Sequence, residues 1–269
     1  MTWPVVRGLW AGQGENELTL PEYSIAFWIC AVSAVTLVGI AKAGFGGGVG
    51  VVATPILALT IPVTDAAGLL LPLLICCDLF SVIHYRTNFD RRSIALLLPG
   101  ALIGITAGAL AFGYFQGNEH ILKMGIGALA LVFVLYQALR KVIEGALKRH
   151  TPSVFEGVLM GAVSGFTSTL AHAGGPPIAI YLLPQKLPRG LFVGTTVIFF
   201  AAINAAKLIP YQYLGLLKVG NLLTILLLSP LTFVGVRLGI HLNQRFTDVW
   251  FNRVVYTVLF ITGCKLILG

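Results

Sequence analysis

The chain has 269 residues, of which 57% are apolar and only 10% are charged, and its formal net charge at pH 7 is +8. A soluble domain carries charge on roughly a quarter of its residues, so this composition excludes a soluble globular protein and predicts one that is embedded in the lipid bilayer. The basic residues cluster in short loops between apolar runs, which is typical of membrane topology and gives no reason to expect nucleic acid as a partner.

The first 23 residues precede the apolar part of the chain and carry three glutamates, Glu15, Glu17 and Glu22, with one arginine. They lack the apolar core of a signal peptide. We expect residues 1–23 to form a short extracytoplasmic tail.

Ten apolar segments follow, five on each side of a basic linker at 140–153. Apolar runs of about twenty residues predict membrane helices, because the strands of a membrane barrel alternate instead. The predicted fold class is therefore an all-α polytopic membrane protein with repeats at 24–139 and 154–269. The segments lie at about 24–42, 48–61, 67–85, 93–115 and 120–139 in the first repeat, and at about 154–170, 175–184, 190–209, 219–242 and 250–268 in the second.

The second segment of each repeat is too short to cross a bilayer as a helix. A segment of ten to fourteen residues spans about 15 to 21 Å, whereas the hydrocarbon core is about 30 Å thick. These segments are predicted to be short or broken helices. Eight and ten crossings both satisfy this pattern.

The two repeats share an order of features. Pro99 and the run at 104–108 (GITAG) match Pro230 and the run at 235–239 (GVRLG), and 78–85 loosely matches 204–211. Five elements per repeat make the second repeat start from the opposite face of the membrane. Inverted repeats with interrupted helices are typical of secondary transporters.

The basic residues predict the orientation in the membrane. With the basic loops in the cytoplasm, the positive-inside rule is satisfied and both termini are extracytoplasmic, with Lys218 as the one exception. The basic loop residues are Arg86, Arg91, Arg92, Arg140, Lys141, Lys148, Arg149, Lys186, Arg189, Arg245 and Arg253.

The first helix break lies within 39–55 (GIAKAGFGGGVGVVATP), where Lys42 is followed by Gly46, Gly47 and Gly48. Free N–H groups at a helix start and a nearby cation both attract anions, so this break predicts an anion site. Two other interpretations stay open: the glycines can serve helix packing, and Lys42 can extend to the lipid headgroups.

The second break lies within 164–177 (SGFTSTLAHAGGPP), where His172 precedes Gly174 and Gly175. Its position matches that of Lys42, which favours a binding role over that of a hydrogen-bonded core residue. The hydroxyl run Ser164, Thr167, Ser168 and Thr169 offers neutral donors, although such hydroxyls often bond to their own helix. We expect one or two of them, with Thr169 as a candidate, to reach the site.

Three further polar residues lie in apolar segments. Asn204 and Lys207 are candidate anion ligands, and Lys207 can also extend to the headgroups because Pro210 begins a loop signal nearby. Asp78 is the one acidic residue well inside an apolar segment. It is either a proton site, and so a candidate for coupling, or an ion-pair partner of Lys42 or Lys207.

Motifs for enzymatic chemistry are missing from the sequence. It has no nucleotide-binding loop, no catalytic triad and no metal-ligand spacing, and its four cysteines lie within apolar segments. We therefore expect no enzymatic activity, no cofactor and no metal.

Four stretches together resemble a known family: KAGFGGGVGVVATPILAL, DAAGLLLPLLICCDLFSVIHYR, SGFTSTLAHAGGPPIAIYLLP and GTTVIFFAAINAAKLIPY. They are similar to the TauE/SafE family of sulfite and organosulfonate exporters, within the toluenesulfonate uptake-type permeases, over about residues 25–268. The resemblance implies a bacterial inner-membrane carrier for small sulfur-containing anions. The motif residues it carries over are Lys42, Gly44, Gly46, Gly47, Gly48, Pro55, His172, Gly174, Gly175, Pro176 and Pro177.

The function we expect is export of sulfite, sulfoacetate or a related organosulfonate by alternating access, with the site between Lys42 and His172. An anion channel is the nearest alternative, and a non-transporting scaffold or an intramembrane enzyme is more distant. A homodimer is possible. The site hypothesis requires the two breaks to lie close together.

Overall fold

The computed structural model describes residues 22–44, 50–147, 152–245 and 248–269, and its regular elements in these ranges are all helical. The all-α prediction is therefore confirmed. The helices are α1 Ile25–Gly44, α2 Ala53–Leu57, α3 Val63–Tyr85, α4 Arg91–Phe115, α5 Glu119–Leu147, α6 Val154–Ala171, α7 Gly175–Leu182, α8 Arg189–Tyr213, α9 Leu222–Arg245 and α10 Asp248–Leu268.

Seven of these helices are long and apolar enough to cross a membrane, namely α1, α3, α4, α5, α6, α8 and α9. In α10 the stretch Val255–Leu268 is a shorter apolar helix. The chain is a multi-pass membrane protein. Large apolar side chains such as Ile103, Leu110 and Leu226 are exposed on its outside, as expected for a surface that meets lipid.

The second helix of each half is short, as predicted. Helix α2 has five residues after a 3-10 turn at Gly50–Val52, and α7 has eight residues before a 3-10 turn at Leu183–Gln185. At 1.5 Å per residue, α7 spans only about 12 Å.

Helix α5 continues to Leu147, beyond the apolar segment expected to end near 139 and into the stretch 140–153 that the sequence indicates as a basic linker. The apolar composition ends where the lipid ends, whereas helix-favouring residues such as Leu139, Lys141 and Glu144 continue the helix beyond it. Residues 148–151 lie outside the described part of the chain.

Helix packing pairs the two halves with each other. Helix α1 packs on α9 and α4 packs on α6, while α3 packs on α8 and α5 on α10. This pattern is unchanged when the first five helices are exchanged with the last five.

Glycines allow the closest of these contacts. A Cβ on Gly104 in α4 would overlap the carbonyl oxygen of Ala162 in α6, and a Cβ on Gly239 in α9 would lie 2.5 Å from the carbonyl oxygen of Ile40 in α1. The two glycine runs that match in the sequence thus lie in corresponding helix pairs. Small residues let membrane helices approach until their backbones touch.

Contacts between loops define two ends of the bundle. At one end, Tyr23 bonds to Asn221 and Lys218 pairs with Asp65, so α1 and α3 begin at the same end. The pairing with Asp65 also compensates the charge of Lys218, the exception in the orientation pattern.

At the other end, the backbone N–H of Asp90 donates to Thr195 Oγ1 at 2.8 Å, and Ser93 Oγ donates to Gln185 Oε1. This end carries Arg91 and Arg92 at the start of α4, together with Lys186 and Arg189 before and at the start of α8. We call it the basic end.

Helices α3 and α8 form the centre of the molecule. The buried share of the most apolar stretch is 61% in α3 and 56% in α8, whereas it is 28% in α5. Polar side chains on α3 and α8 are therefore shielded from lipid and face other protein groups.

Candidate functional site

Helix α2, which follows the first break, contacts the second break in the interior. Helix α6 ends at Ala171, whose carbonyl oxygen accepts a hydrogen bond from Thr54 Oγ1 of α2 at 2.8 Å. His172 follows with φ of 52°, in the left-handed region that disfavours residues with a Cβ. The structure thus brings α2, which follows the first break, into contact with the end of α6, where the second break begins.

Lys42, in the last turn of α1, reaches the middle of α3. Its Nζ lies 2.5 Å from Asp78 Oδ1 and donates to the carbonyl oxygen of Leu74 at 3.3 Å. Lys42 and Asp78 are each 4% exposed. Lys42 therefore does not extend to the headgroups, and Asp78 is its ion-pair partner.

Asn204 holds the other oxygen of the same carboxylate. Its Nδ2 donates to Asp78 Oδ2 at 2.7 Å. Asp78 and Asn204 are matching positions in the two halves of the sequence. Their direct contact places the pair where α3 and α8 cross.

Lys207 of α8 makes a second cluster with the other break. Its Nζ donates to Ser168 Oγ at 3.0 Å and to the Ser168 carbonyl oxygen at 3.2 Å, and lies 3.0 Å from His172 Nδ1. His172 Nε2 lies 3.1 Å from the carbonyl oxygen of Ala67.

These contacts define the tautomer of His172. The carbonyl oxygen of Ala67 can only accept, so Nε2 carries the proton and Nδ1 accepts from the Lys207 ammonium. A neutral imidazole with Nε2–H satisfies both contacts. Lys207, which is fully buried, thus has three acceptors that are all uncharged.

A small cavity of about 20 Å³ lies between the two clusters. Polar groups from both halves face it, including those of Lys42 and His172. The cavity is lined by Val38, Lys42, Leu74, Ser168, His172, Phe200 and Asn204.

Not every predicted residue lines this cavity. Lys207 lies behind Ser168 and His172. The Thr169 hydroxyl bonds to the carbonyl oxygen of Gly165 in its own helix, as such hydroxyls often do. Of the hydroxyl run, Ser168 is the member that lines the cavity.

The glycines of the two breaks differ in what the structure shows. Gly46, Gly47 and Gly48 lie outside the described residues. Gly174 and Gly175 are buried, and a Cβ on Gly174 would lie 2.5 Å from Ser164 Oγ and 3.1 Å from Phe200. Gly174 therefore allows the close packing around the second break.

The start of α7 is a poorer anion-binding helix end than its position implies. Pro176 and Pro177 occupy its first turn and have no N–H group. The first turn therefore retains fewer free donors than an ordinary helix start, and the donors at the cavity are mainly side chains.

Three groups that hydrogen-bond within the two clusters or beside them were not predicted from the sequence. Two are the carbonyl oxygens of Ala67 and Leu74. The third is Tyr211, whose hydroxyl donates to the Thr169 carbonyl oxygen at 2.7 Å. The amino-acid sequence does not indicate which backbone carbonyl oxygens accept hydrogen bonds from distant side chains. Tyr211 did carry a signal, because it lies four residues after Lys207 and matches Tyr85 of the first half.

The comparison with family models agrees with this architecture. The model described as "Sulfite exporter TauE/SafE" matches residues 31–266, which include both breaks and all the cavity-lining residues. No curated protein and no solved structure matches the chain. The matched family is one of transporters and not of enzymes. The chain therefore belongs to the TauE/SafE sulfite exporter family and is a membrane transporter.

Proposed function

We propose that the protein exports a small sulfur-containing anion, such as sulfite, sulfoacetate or a related organosulfonate, and binds it in the cavity between the two helix breaks. The observation that carries this proposal is the convergence of Lys42, Ser168, His172 and Asn204 on one buried cavity. The donors come from both halves of the chain, so the bound anion would connect them.

The groups at the cavity suit an oxyanion. The Lys42 ammonium is a charge-assisted donor to sulfonate oxygens, and the Asn204 amide N–H₂ is a neutral donor. The Ser168 hydroxyl is a third donor. Lys207 contributes a second positive charge from behind His172. With Asp78 ionised and both lysines protonated, the cluster has a net charge of one, which favours a small anion over a cation.

Alternating access is supported by the size of the cavity. A volume of about 20 Å³ accommodates about one water molecule, so the lining must separate before an oxyanion enters. In a carrier, the groups that line the binding site separate and close again as the site opens to one side of the membrane and then to the other.

Inverted repeats are supported by the helix pairing, which is symmetric under exchange of the halves, and by the loop contacts. Helices α1 and α3 begin at the Asp65 end, whereas α8 and the neighbouring α4 begin at the basic end. Placing the basic end in the cytoplasm of a bacterial inner membrane makes both termini extracytoplasmic. A homodimer remains part of the prediction from sequence.

Counterflow in proteoliposomes tests the transport activity. Vesicles preloaded with sulfite or sulfoacetate should accumulate the labelled anion, with saturation, and Lys42→Ala should weaken the uptake. Unchanged uptake in Lys42→Ala would remove Lys42 from the site. Conductance far above carrier rates in a bilayer recording would instead indicate a channel.

A further inference from the structure

Asp78 already occupies donors that an anion in the cavity needs. Lys42 and Asn204 both line the cavity, and both hold the Asp78 carboxylate, at 2.5 Å and 2.7 Å. A substrate anion and the Asp78 carboxylate therefore compete for the same ammonium.

We propose that Asp78 takes up a proton when the cavity receives its anion, so that anion and proton leave the cytoplasm together, driven by the concentration gradient of the anion. This inference rests on the proposed function. It adds a coupling ion and the residue that carries it.

The step balances without any further reactant. A proton from water passes to Asp78 Oδ1, the oxygen that Lys42 Nζ leaves as it turns toward the anion. The anion adds its negative charge and the proton neutralises that of Asp78, so a monoanion leaves the net charge of the cluster unchanged and a dianion such as sulfoacetate lowers it by one. On the other side of the membrane, anion and proton leave and the ion pair forms again.

The structure offers the new O–H an acceptor. The carbonyl oxygen of Leu74 lies one helical turn before Asp78 and accepts from Lys42 Nζ in this structure. When Lys42 turns away, this carbonyl loses that donor. The protonated carboxyl group of Asp78 can donate to it, as polar side chains in membrane helices do to the preceding turn.

The groups around Asp78 make proton uptake the least costly response to losing Lys42. Helix α1 contributes Lys42, and α8 contributes neutral Asn204 and, at longer range, Lys207. Within α3 the neighbour is the Cys77 thiol, toward which α9 directs Thr232. A buried carboxylate that loses its nearest cation is strongly disfavoured as an ion, so it binds a proton instead.

Wild-type protein in proteoliposomes provides the direct test. Sulfoacetate stays fully ionised at neutral pH and so brings no proton of its own. The membrane potential is clamped at zero, and the outside is made more acidic than the inside. If one proton is coupled to each anion, the inside concentration of sulfoacetate should exceed the outside concentration by about tenfold for each pH unit of difference. A pH dye should report proton entry with the anion.

Asp78→Asn removes the proton site and imitates the neutral carboxyl group. Anion exchange should persist in this variant, with tighter apparent binding because Lys42 is released, while the proton gradient should no longer drive accumulation. Ser81→Ala is the matched control: this buried hydroxyl lies one turn from Asp78 and bonds to Cys77 in its own helix, so both activities should be kept.

The outcomes separate the two proposals. Net uptake of sulfoacetate into unloaded wild-type vesicles without proton entry, or gradient-driven accumulation in Asp78→Asn equal to the wild type, would overturn the coupling role and leave the anion site standing. Absence of counterflow in the wild type would instead refute the proposed function. If Asp78→Asn does not fold, proton entry in the wild type still decides.

Discussion

The two helix breaks occupy matching positions but have different charge partners. At the first break the cation, Lys42, is on the break itself, and its partner on α3 is the carboxylate of Asp78. At the second break a neutral ring, His172, is on the break, and the cation on α8, Lys207, has only uncharged acceptors.

We propose that this difference gives the two lysine clusters different roles. The Lys42 cluster has a charge that another anion can displace, so it is suited to exchange between substrate and carboxylate. In the Lys207 cluster the three acceptors that the structure describes are uncharged, so none of them is an anion that a substrate could replace. Geometry is shared between the halves, whereas electrostatics is not.

Removing Lys42 should have the largest effect on stability. Lys42→Ala leaves the Asp78 carboxylate buried without its ion-pair partner, which costs about 3–5 kcal/mol. Adding Asp78→Asn should restore a large part of this loss. Unfolding midpoints of the single and double variants in the same detergent measure both effects, and a Lys42→Ala variant as stable as the wild type would contradict the ion pair.

Lys207→Met should separate transport from stability. It removes a buried charge whose partners are neutral, so the loss of stability should be smaller than for Lys42→Ala. Uptake should fall by a smaller factor than in Lys42→Ala, because Lys207 lies behind Ser168 and His172 and acts on the anion through its charge and not through a direct hydrogen bond. A variant that unfolds like Lys42→Ala yet keeps transport would show that the two clusters have the opposite roles.

The packing around the second break should respond to a single methyl group. Gly174→Ala places a Cβ against Ser164 and Phe200, and overpacking of this kind costs about 1–3 kcal/mol. Gly125→Ala is the control, because nothing lies within 4 Å of its Cβ position. Thermal unfolding of both variants should differ, and equal midpoints would argue against tight packing at this break.

Neighbouring hydroxyls should give the smallest effects. Thr169→Val removes a hydroxyl that bonds within its own helix, so uptake should change by less than about twofold, whereas Ser168→Ala removes an acceptor of Lys207 and a lining group of the cavity. A larger loss in Thr169→Val than in Ser168→Ala would place the anion on the other side of α6.

Much of this arrangement follows from the sequence. The ten elements, the short second element of each half and the matching positions of Asp78 and Asn204 all follow from apolar length, helix-breaking glycines and the order of features. Hydrophobicity and chain breaks are local properties. They are therefore readable in one sequence.

The partners of the buried lysines could not be predicted from the sequence. The sequence left open whether Asp78 pairs with Lys42 or Lys207 and placed Lys207 in the cavity itself. Which side chains meet depends on how α1, α3 and α8 cross, a property of tertiary packing. The extension of α5 into the predicted linker has a simpler cause, because the residues after 139 still favour a helix although they are no longer apolar.

The most direct test of the anion site is a crystal structure of the protein soaked with selenite, the selenium analogue of sulfite. Anomalous scattering then identifies the anion without ambiguity. We predict a selenium peak in the cavity between Lys42, Ser168 and His172, with the lining moved apart to admit it. A selenium peak elsewhere in the molecule, with this cavity unchanged and empty, would contradict the account.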